Sequence, residues 1–331
     1  MRKTKKITKV RIQKQRSQKR LFAGVMVSLL IAATAYQVVN QRISASSNAA
    51  SIRMVTYNVL ISTTSKQTIS DIKRIVSLKD PDVISLQELY QHGKRNEVLK
   101  AIACNDGCAY EAYAPNGGGA KEELVILWKR SHYSLDTSGS IKTADGWNEL
   151  GRHHGALYFN FVKLNDITSP ERQIIVGTNH LPSLVDRDDD GRPNWKKMPK
   201  RVAAYKQHMQ KVNEKISFWN TNCQNAAIFI TGDYNVNYRK DSKVKVSFFP
   251  YASFAKVDGH SNWQTTPFAT NHPKATTLVP SPPIPGQPKN RLIDYVFLVK
   301  NGAAIDITGS SIISKQMHSD HNAVVASYKY Q

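Results

Sequence analysis

The chain has 331 residues, 40% of them hydrophobic, with 46 Lys and Arg against 25 Asp and Glu for a net charge of +21. That apolar content excludes a disordered polar tract and suffices for one large core or two modest ones. Three cysteines are too few for a disulfide-built scaffold or for a zinc site closed by thiolates alone, and the positive charge favours a polyanionic partner.

The charge is unevenly spread. Residues 1–20 form a basic leader with ten Lys or Arg and no acid. Residues 21–39 follow without a charged side chain, long enough at ~1.5 Å per residue to cross most of a ~30 Å hydrocarbon core. A basic flank holds its end in the cytoplasm and sends the remainder across. Two readings stand side by side: a cleaved signal peptide, with small-residue sites at Ala33-Thr34-Ala35 and Ser47-Asn48-Ala49, and a retained transmembrane anchor. Either one, followed by a small polar linker over 40–51, places the body outside the cytoplasm. There Cys104 and Cys108 either pair across a short loop or stay free, and Cys223 is left over.

Within the body, 52–59 reads as a strand, 66–79 as a helix with Ile69, Ile72, Ile75, Val76 and Leu78 near helical period, and 82–87 as a buried strand after Pro81. A second helix is expected over 96–102. Strands follow at 124–128, 156–164 and 173–178 with only loops between them. A long helix over 194–219 leads to a strand at 226–231. A proline-rich loop around Pro280 to Pro288 precedes strands at 291–300 and 323–330. Two helix-bearing halves, each with several strands, predict two sheets packed face to face with helices outside, one domain over 52–331.

Five short motifs sit beside or within the apolar runs: Gln87-Glu88, Asn179-His180-Leu181, Gly232-Asp233-Tyr234-Asn235, Ile293-Asp294-Tyr295-Val296 and Ser319-Asp320-His321. Metal-assisted hydrolysis of a phosphate ester needs this set of groups at one place. Asn58 and Glu88 end strands joined by a single helix, so they should lie side by side, and an amide oxygen with a carboxylate suits a hard cation such as Mg²⁺. Asp233 can orient or deprotonate a water while the Asn235 amide donates to a phosphoryl oxygen. Asp294, inside an apolar strand, needs a partner, and His321 is the natural one, which leaves Asp320 for the metal. His180 can donate to the phosphate. Glu122 is expected to orient it, with Glu123 as competitor. Asp186 to Asp190, ending at Gly191, mimics the start of a calcium loop, but Lys197 stands where a bidentate Glu would close it.

In order and spacing these motifs, with Asn58, resemble the endonuclease/exonuclease/phosphatase superfamily over about residues 52 to 330. The resemblance implies a four-layer α/β/β/α sandwich of two packed mixed sheets with outer helices, dependence on Mg²⁺ or Mn²⁺, and hydrolysis of a phosphodiester or phosphomonoester. It puts Asn58, Glu88 and Asp320 at the metal, Asp233 and Asn235 at the water and phosphate, and Asp294 with His321 as the carboxylate–histidine pair. It also puts His180, supported by Glu122, as the second catalytic histidine, and Asn179 beside the substrate. Deoxyribonuclease-like members carry an arginine two residues after the metal-binding glutamate; here that position is Tyr90, a substrate-binding candidate with Asn179 and Arg152, so a duplex DNA substrate does not follow. Arg152 sits where related nucleases carry a phosphate-contacting arginine.

The reading is an extracytoplasmic, divalent-metal-dependent nuclease acting on DNA or RNA, a monomer with no protein partner implied. The alternatives are a phosphatase or a sphingomyelinase-like lipid phosphodiesterase of the same fold, and, more remotely, a membrane-tethered binding protein that has lost activity.

Overall fold

The computed structural model describes residues 51–331 apart from 105–106, 119, 187–189, 256–262, 266–290, 300 and 314–315. The basic leader, the apolar segment with its candidate cleavage sites, the linker up to 50 and the proline-rich loop lie outside the described residues. No helix among the described residues is long and apolar enough to cross a membrane.

The first sheet begins with β1 (Ser51–Asn58), α1 (Ser65–Lys79), β2 (Val83–Gln87), α2 (His92–Ile102), β3 (Tyr110–Tyr113) and β4 (Val125–Lys129). The second takes β5 (Tyr133–Ala144), β8 (Leu157–Asp166) and β9 (Gln173–His180), with the hairpin β6 (Trp147–Glu149) and β7 (Arg152–His154) set between them. Then come α3 (Pro199–Asn222), β10 (Ala227–Asp233), α4 (Tyr238–Val244), α5 (Pro250–Ala255), β11 (Trp263–Thr265), β12 (Asp294–Val299), β13 (Ile305–Ile313) and β14 (Ala323–Tyr330). The strand orders are β13-β14-β1-β2-β4-β3 and β11-β12-β10-β9-β8-β5, each mixing parallel and antiparallel pairs.

Side-chain alternation builds the layers. In β1, Ile52 and Met54 join the core that contains Phe159, Val176 and Ile230 of the second sheet, while Val55 and Tyr57 face Ile72 and Ile75 of α1 and Val98 of α2. On the far side Val202, Tyr205, Met209 and Val212 of α3 cover the second sheet. The architecture is the expected α/β/β/α sandwich, with two mixed sheets packed face to face.

Several elements differ from expectation. The second helix starts at His92 rather than 96, because Gln91 enters it from the left-handed region without a side-chain cap. The long helix starts at Pro199 rather than 194, and Asp294 is the first residue of its strand rather than an interior one. The strands β3, β5 and β13 and the β6–β7 hairpin were not anticipated.

β1 and β2 pair in parallel with Asn58 opposite Gln87. β10 pairs in parallel with β9 and antiparallel with β12, so Asp233 stands opposite both His180 and Asp294. These registers bring the chemistry-bearing residues to one rim.

Candidate active site

Asp233 is the hub. It is 1% exposed, on the last residue of β10. Gly232 before it adopts φ +143°, and a Cβ there would stand 2.2 Å from the Asn179 carbonyl oxygen, so only glycine allows β10 to lie this close to β9. Asn235, itself left-handed at φ +52°, donates its backbone N–H to Asp233 Oδ1 at 2.9 Å. Its side-chain amide donates to Leu181 O at 2.8 Å and to Asp233 Oδ2 at 3.2 Å. Contrary to the sequence expectation, that amide is committed to fixing Asp233 rather than to a phosphoryl oxygen.

Two imidazole–carboxylate pairs flank the hub. His321 Nδ1 donates to Asp294 Oδ2 at 2.9 Å, and its Nε2 lies 3.8 Å from Asp233 Oδ2. On the other side, His180 Nδ1 donates to Glu123 Oε2 at 3.0 Å, and its Nε2 lies 3.5 Å from Glu88 Oε1 and 3.8 Å from Asp233 Oδ2. Burial pulls both imidazoles down, yet the acids prevail: Glu123, Glu88 and Asp233 raise His180 to about 10, and Asp294, Asp320 and Asp233 hold His321 well above its usual value.

The carboxylate behind His180 is Glu123, not Glu122. Both belong to the 3₁₀ turn Ala120–Glu123, whose tight pitch sends adjacent side chains apart. Glu122 turns back to accept from Gly118 N at 2.6 Å and to face His92 Nε2 at 3.4 Å. Tyr90 also bonds Glu123, and burial with this acid pushes its hydroxyl above the usual range. Tyr90 therefore braces the His180 pair from the cleft wall.

The expected metal residues separate into two roles. The Asn58 side-chain oxygen accepts from Leu60 N at 3.0 Å, while its NH₂ bridges Glu88 Oε1 at 3.0 Å and Asp233 Oδ2 at 3.1 Å. It spaces two carboxylates instead of offering a free oxygen. Glu88 leaves β2 at φ +59° and accepts from Ile61 N at 2.9 Å. Burial would raise its carboxyl, but His180, Asn58 and His321 hold it below the ordinary value. Asp320 Oδ1 is buried without a hydrogen-bond partner among the described residues, 3.9 Å from His321 Nε2. An orphaned carboxylate oxygen beside Glu88 and Asp233 is an oxygen-rich donor set that fits a hard divalent cation. Asp233, Asp294 and His321 also present ligand atoms within 4.8 Å of one another, but His321 Nδ1 and Asp294 already satisfy each other, so that trio is better described as a hydrogen-bonded relay.

Asn179 does not reach the cleft. Fully buried, it donates to Thr231 O at 3.0 Å and to Tyr234 Oη at 3.1 Å, and accepts from His208 Nε2 at 2.7 Å. It knits α3 to β9 behind His180. The Asp320–His321 turn is fixed on its N-terminal side, by Ser319 Oγ donating to Asn58 O at 2.7 Å and by His318 Nδ1 on Asp71 Oδ1 at 2.6 Å.

These groups open into a cleft of about 790 Å³. Its outer wall is the β6–β7 hairpin, invisible in the sequence because three-residue strands carry no periodicity. Trp147 stacks on His154, with centroids 5.1 Å apart, and Arg201 donates to His154 Nε2 at 3.0 Å. Arg152 stands exposed on the same wall, and Leu150 at the hairpin tip is 70% exposed. Of the suspected calcium loop, Arg187 to Asp189 lie outside the described residues, Asp190 holds Arg192 through its backbone N–H at 2.8 Å, and Asp186 caps its own turn through Asp190 N and Gly191 N, both at 3.1 Å.

No protein-family model and no curated protein sequence matches the chain. Solved structures do. An endonuclease/exonuclease/phosphatase family protein from Bacteroides thetaiotaomicron is 14% identical with a TM-score of 0.57, covering 85% of this chain and 95% of its own. D. rerio TDP2 complexed with a single-strand DNA product is 14% identical with a TM-score of 0.58, covering 85% and 99%. A Bacteroides thetaiotaomicron mannosyl-6-phosphatase is 14% identical with a TM-score of 0.56, covering 84% and 100%. At this identity the likeness lies in the backbone, and with the two packed sheets described above it establishes that the chain has the endonuclease/exonuclease/phosphatase fold.

Proposed function

We propose that the chain is a divalent-cation-dependent phosphoric ester hydrolase, and that its substrate is a nucleic acid cleaved outside the cytoplasm. The observation that carries the reaction class is the pair of imidazole–carboxylate dyads facing one carboxylate, Asp233, from opposite sides. A water beside Asp233 Oδ2 and the charged His321 Nε2 is oriented by both; its proton passes to the Asp233 carboxylate as the oxygen attacks phosphorus, and the bond from phosphorus to the leaving ester oxygen breaks, that oxygen being protonated from bulk water. Asp294 fixes the His321 tautomer and balances its charge. His180, held charged by Glu123, donates from Nε2 to a phosphoryl oxygen and offsets the charge that builds there. Asn58 and Asn235 keep Asp233 in line. Glu88 and Asp320 would hold the cation, which when bound supplies Lewis-acid stabilisation of the phosphoryl oxygens.

Three observations support the substrate and compartment. Beyond the leader the chain is still basic, with 36 Lys and Arg against 25 acids, a charge of +11. One structure with this fold is TDP2 with a single-strand DNA product. Cys104 and Cys108 are disulfide-bonded, a state that persists outside reducing compartments. A phosphomonoester is the second reading, since a mannosyl-6-phosphatase shares the fold.

The test is a substrate panel with the full chain in Mg²⁺ or Mn²⁺: single- and double-stranded DNA, RNA, sugar phosphates and sphingomyelin. Nucleotide release is expected, lost by about 10³-fold in His180→Ala and His321→Ala. Intact nucleic acid alongside hydrolysed sugar phosphate or lipid would overturn the substrate. No hydrolysis of any member would overturn the reaction class.

A further inference from the structure

Glu149-Leu150-Gly151-Arg152 is a hairpin with two residues at its tip: Glu149 pairs with Arg152, and both central residues are left-handed, Leu150 at φ +53° and Gly151 at φ +72°. Positive φ at both central positions is the mark of a type I′ turn, whose first position ordinarily takes Asn, Asp or Gly because a larger side chain is strained there. Gly151 obeys that preference. Leu150 breaks it, and at 70% exposure its side chain gains little packing within the fold to offset the strain.

The base of the hairpin is held firmly. Met198 gives α3 no side-chain cap, and Glu149 supplies one from the hairpin, accepting from Lys200 N at 2.9 Å and Arg201 N at 3.3 Å. Arg201 returns the contact: its Nε lies 3.4 Å from Glu149 Oε2, and its guanidinium donates to Ser183 O at 2.8 Å and to His154 Nε2 at 3.0 Å. A fixed base thus presents a strained apolar tip, and that tip lines the same cleft as His180, Asp233 and His321. A backbone outlier kept in place by its surroundings at the edge of a cleft points to contact with a ligand.

We propose that Leu150 is a specificity-determining residue whose side chain rests against the face of an unpaired nucleobase bound in the cleft, so that the substrate is a single-stranded nucleic acid. This rests on the nucleic-acid reading above and narrows it. The tip offers one apolar side chain, with the exposed cation Arg152 two residues on and lining the same cleft. A single strand offers the matching sequence of apolar base face and anionic phosphate. One leucine covers too little of a lipid tail to select it, and a sugar phosphate presents hydroxyls to a side chain that cannot bond them. In a duplex the base faces are stacked on one another and closed to Leu150 unless the step is pried open.

The test uses the full chain in Mg²⁺ or Mn²⁺ with a single-stranded DNA oligonucleotide, the same sequence as a duplex, and a base-free deoxyribose-phosphate oligomer of equal length. Leu150→Asn places at the tip a residue that a type I′ turn prefers, so the hairpin keeps its shape and the thermal midpoint is expected to match or exceed the parent's. The ratio of kcat/KM for the single strand over the base-free oligomer is expected to fall at least about fivefold in Leu150→Asn, and to recover in Leu150→Met, which restores the apolar surface. A ratio within about twofold of the parent's, or equal losses on all three substrates, would overturn the contact with the base and leave nucleic-acid hydrolysis standing. A loss on the duplex as large as that on the single strand would overturn the requirement for an unpaired base. Failure to cleave any of the three would overturn the nucleic-acid reading, and this inference with it.

Discussion

At the scale of single residues, the decisive contrast is Glu122 against Glu123. Adjacent in sequence and equal in chemistry, they differ only in where a 3₁₀ turn points them, and only Glu123 lies on His180. Glu123→Gln is expected to lower hydrolysis by about 100-fold, whereas Glu122→Gln should stay within a few-fold of the parent, as measured by kcat/KM on the best substrate of the panel. His208 gives a second test. Buried between Thr143 Oγ1 and Asn179 Oδ1, at 2.7 Å from each, it is neutral, with burial lowering it to about 3 from 6.5. The unfolded chain binds this proton below 6.5 and the folded chain does not until about 3. Stability from this group is therefore full above 6.5 and lost as pH falls through that window. At about pH 5 the loss is about 2 kcal/mol, and His208→Gln should flatten the pH dependence of the unfolding midpoint by that amount.

At the scale of elements, the residues that turn the chain at strand ends set the site. Gly232→Ala must either force β10 from β9 or leave a Cβ against the Asn179 carbonyl, and should cost about 3 kcal/mol by denaturant unfolding, with activity lost in what remains folded. Legibility followed burial. β1, β2, β9, β10 and β14 carry continuous or alternating apolar runs and were readable within a few residues. β5 and β13 form sheet edges, are only partly buried, and contain bulges between Leu135 and Thr137 and between Ile307 and Gly309, so they lack the two-residue period. The start of α1 was placed within one residue by its apolar spacing, and a capping box of Thr64 and Gln67 fixes it there, while α2 and α3 follow N-caps Gln91 and Met198 that make no side-chain cap bond.

At the scale of the whole molecule, the net charge of +11 that remains beyond the basic leader makes a prediction about substrate. Nucleic acid hydrolysis should show KM rising steeply between about 50 and 200 mM salt, because counterions compete for the backbone phosphates, while a small phosphomonoester would show a shallow response. Steady-state kinetics across that range separates the two readings. The residue types that the proposed hydrolysis needs were legible in the sequence, because acids, amides and histidines beside apolar runs have few structural uses together: Glu88, His180, Asp233, Asp320 and His321 line one cleft, with Asp294 buried behind His321. What each side chain does there was decided by tertiary structure. Asn58, expected at the metal, and Asn235, expected at a phosphoryl oxygen, both bond Asp233; Asn179 is a buried strut; and Glu123, the competitor of Glu122, lies on His180. The physical reason is common to all of them: a side chain's chemistry is fixed by its own atoms, but its partner is fixed by strand register and turn phase, which join residues far apart in the chain.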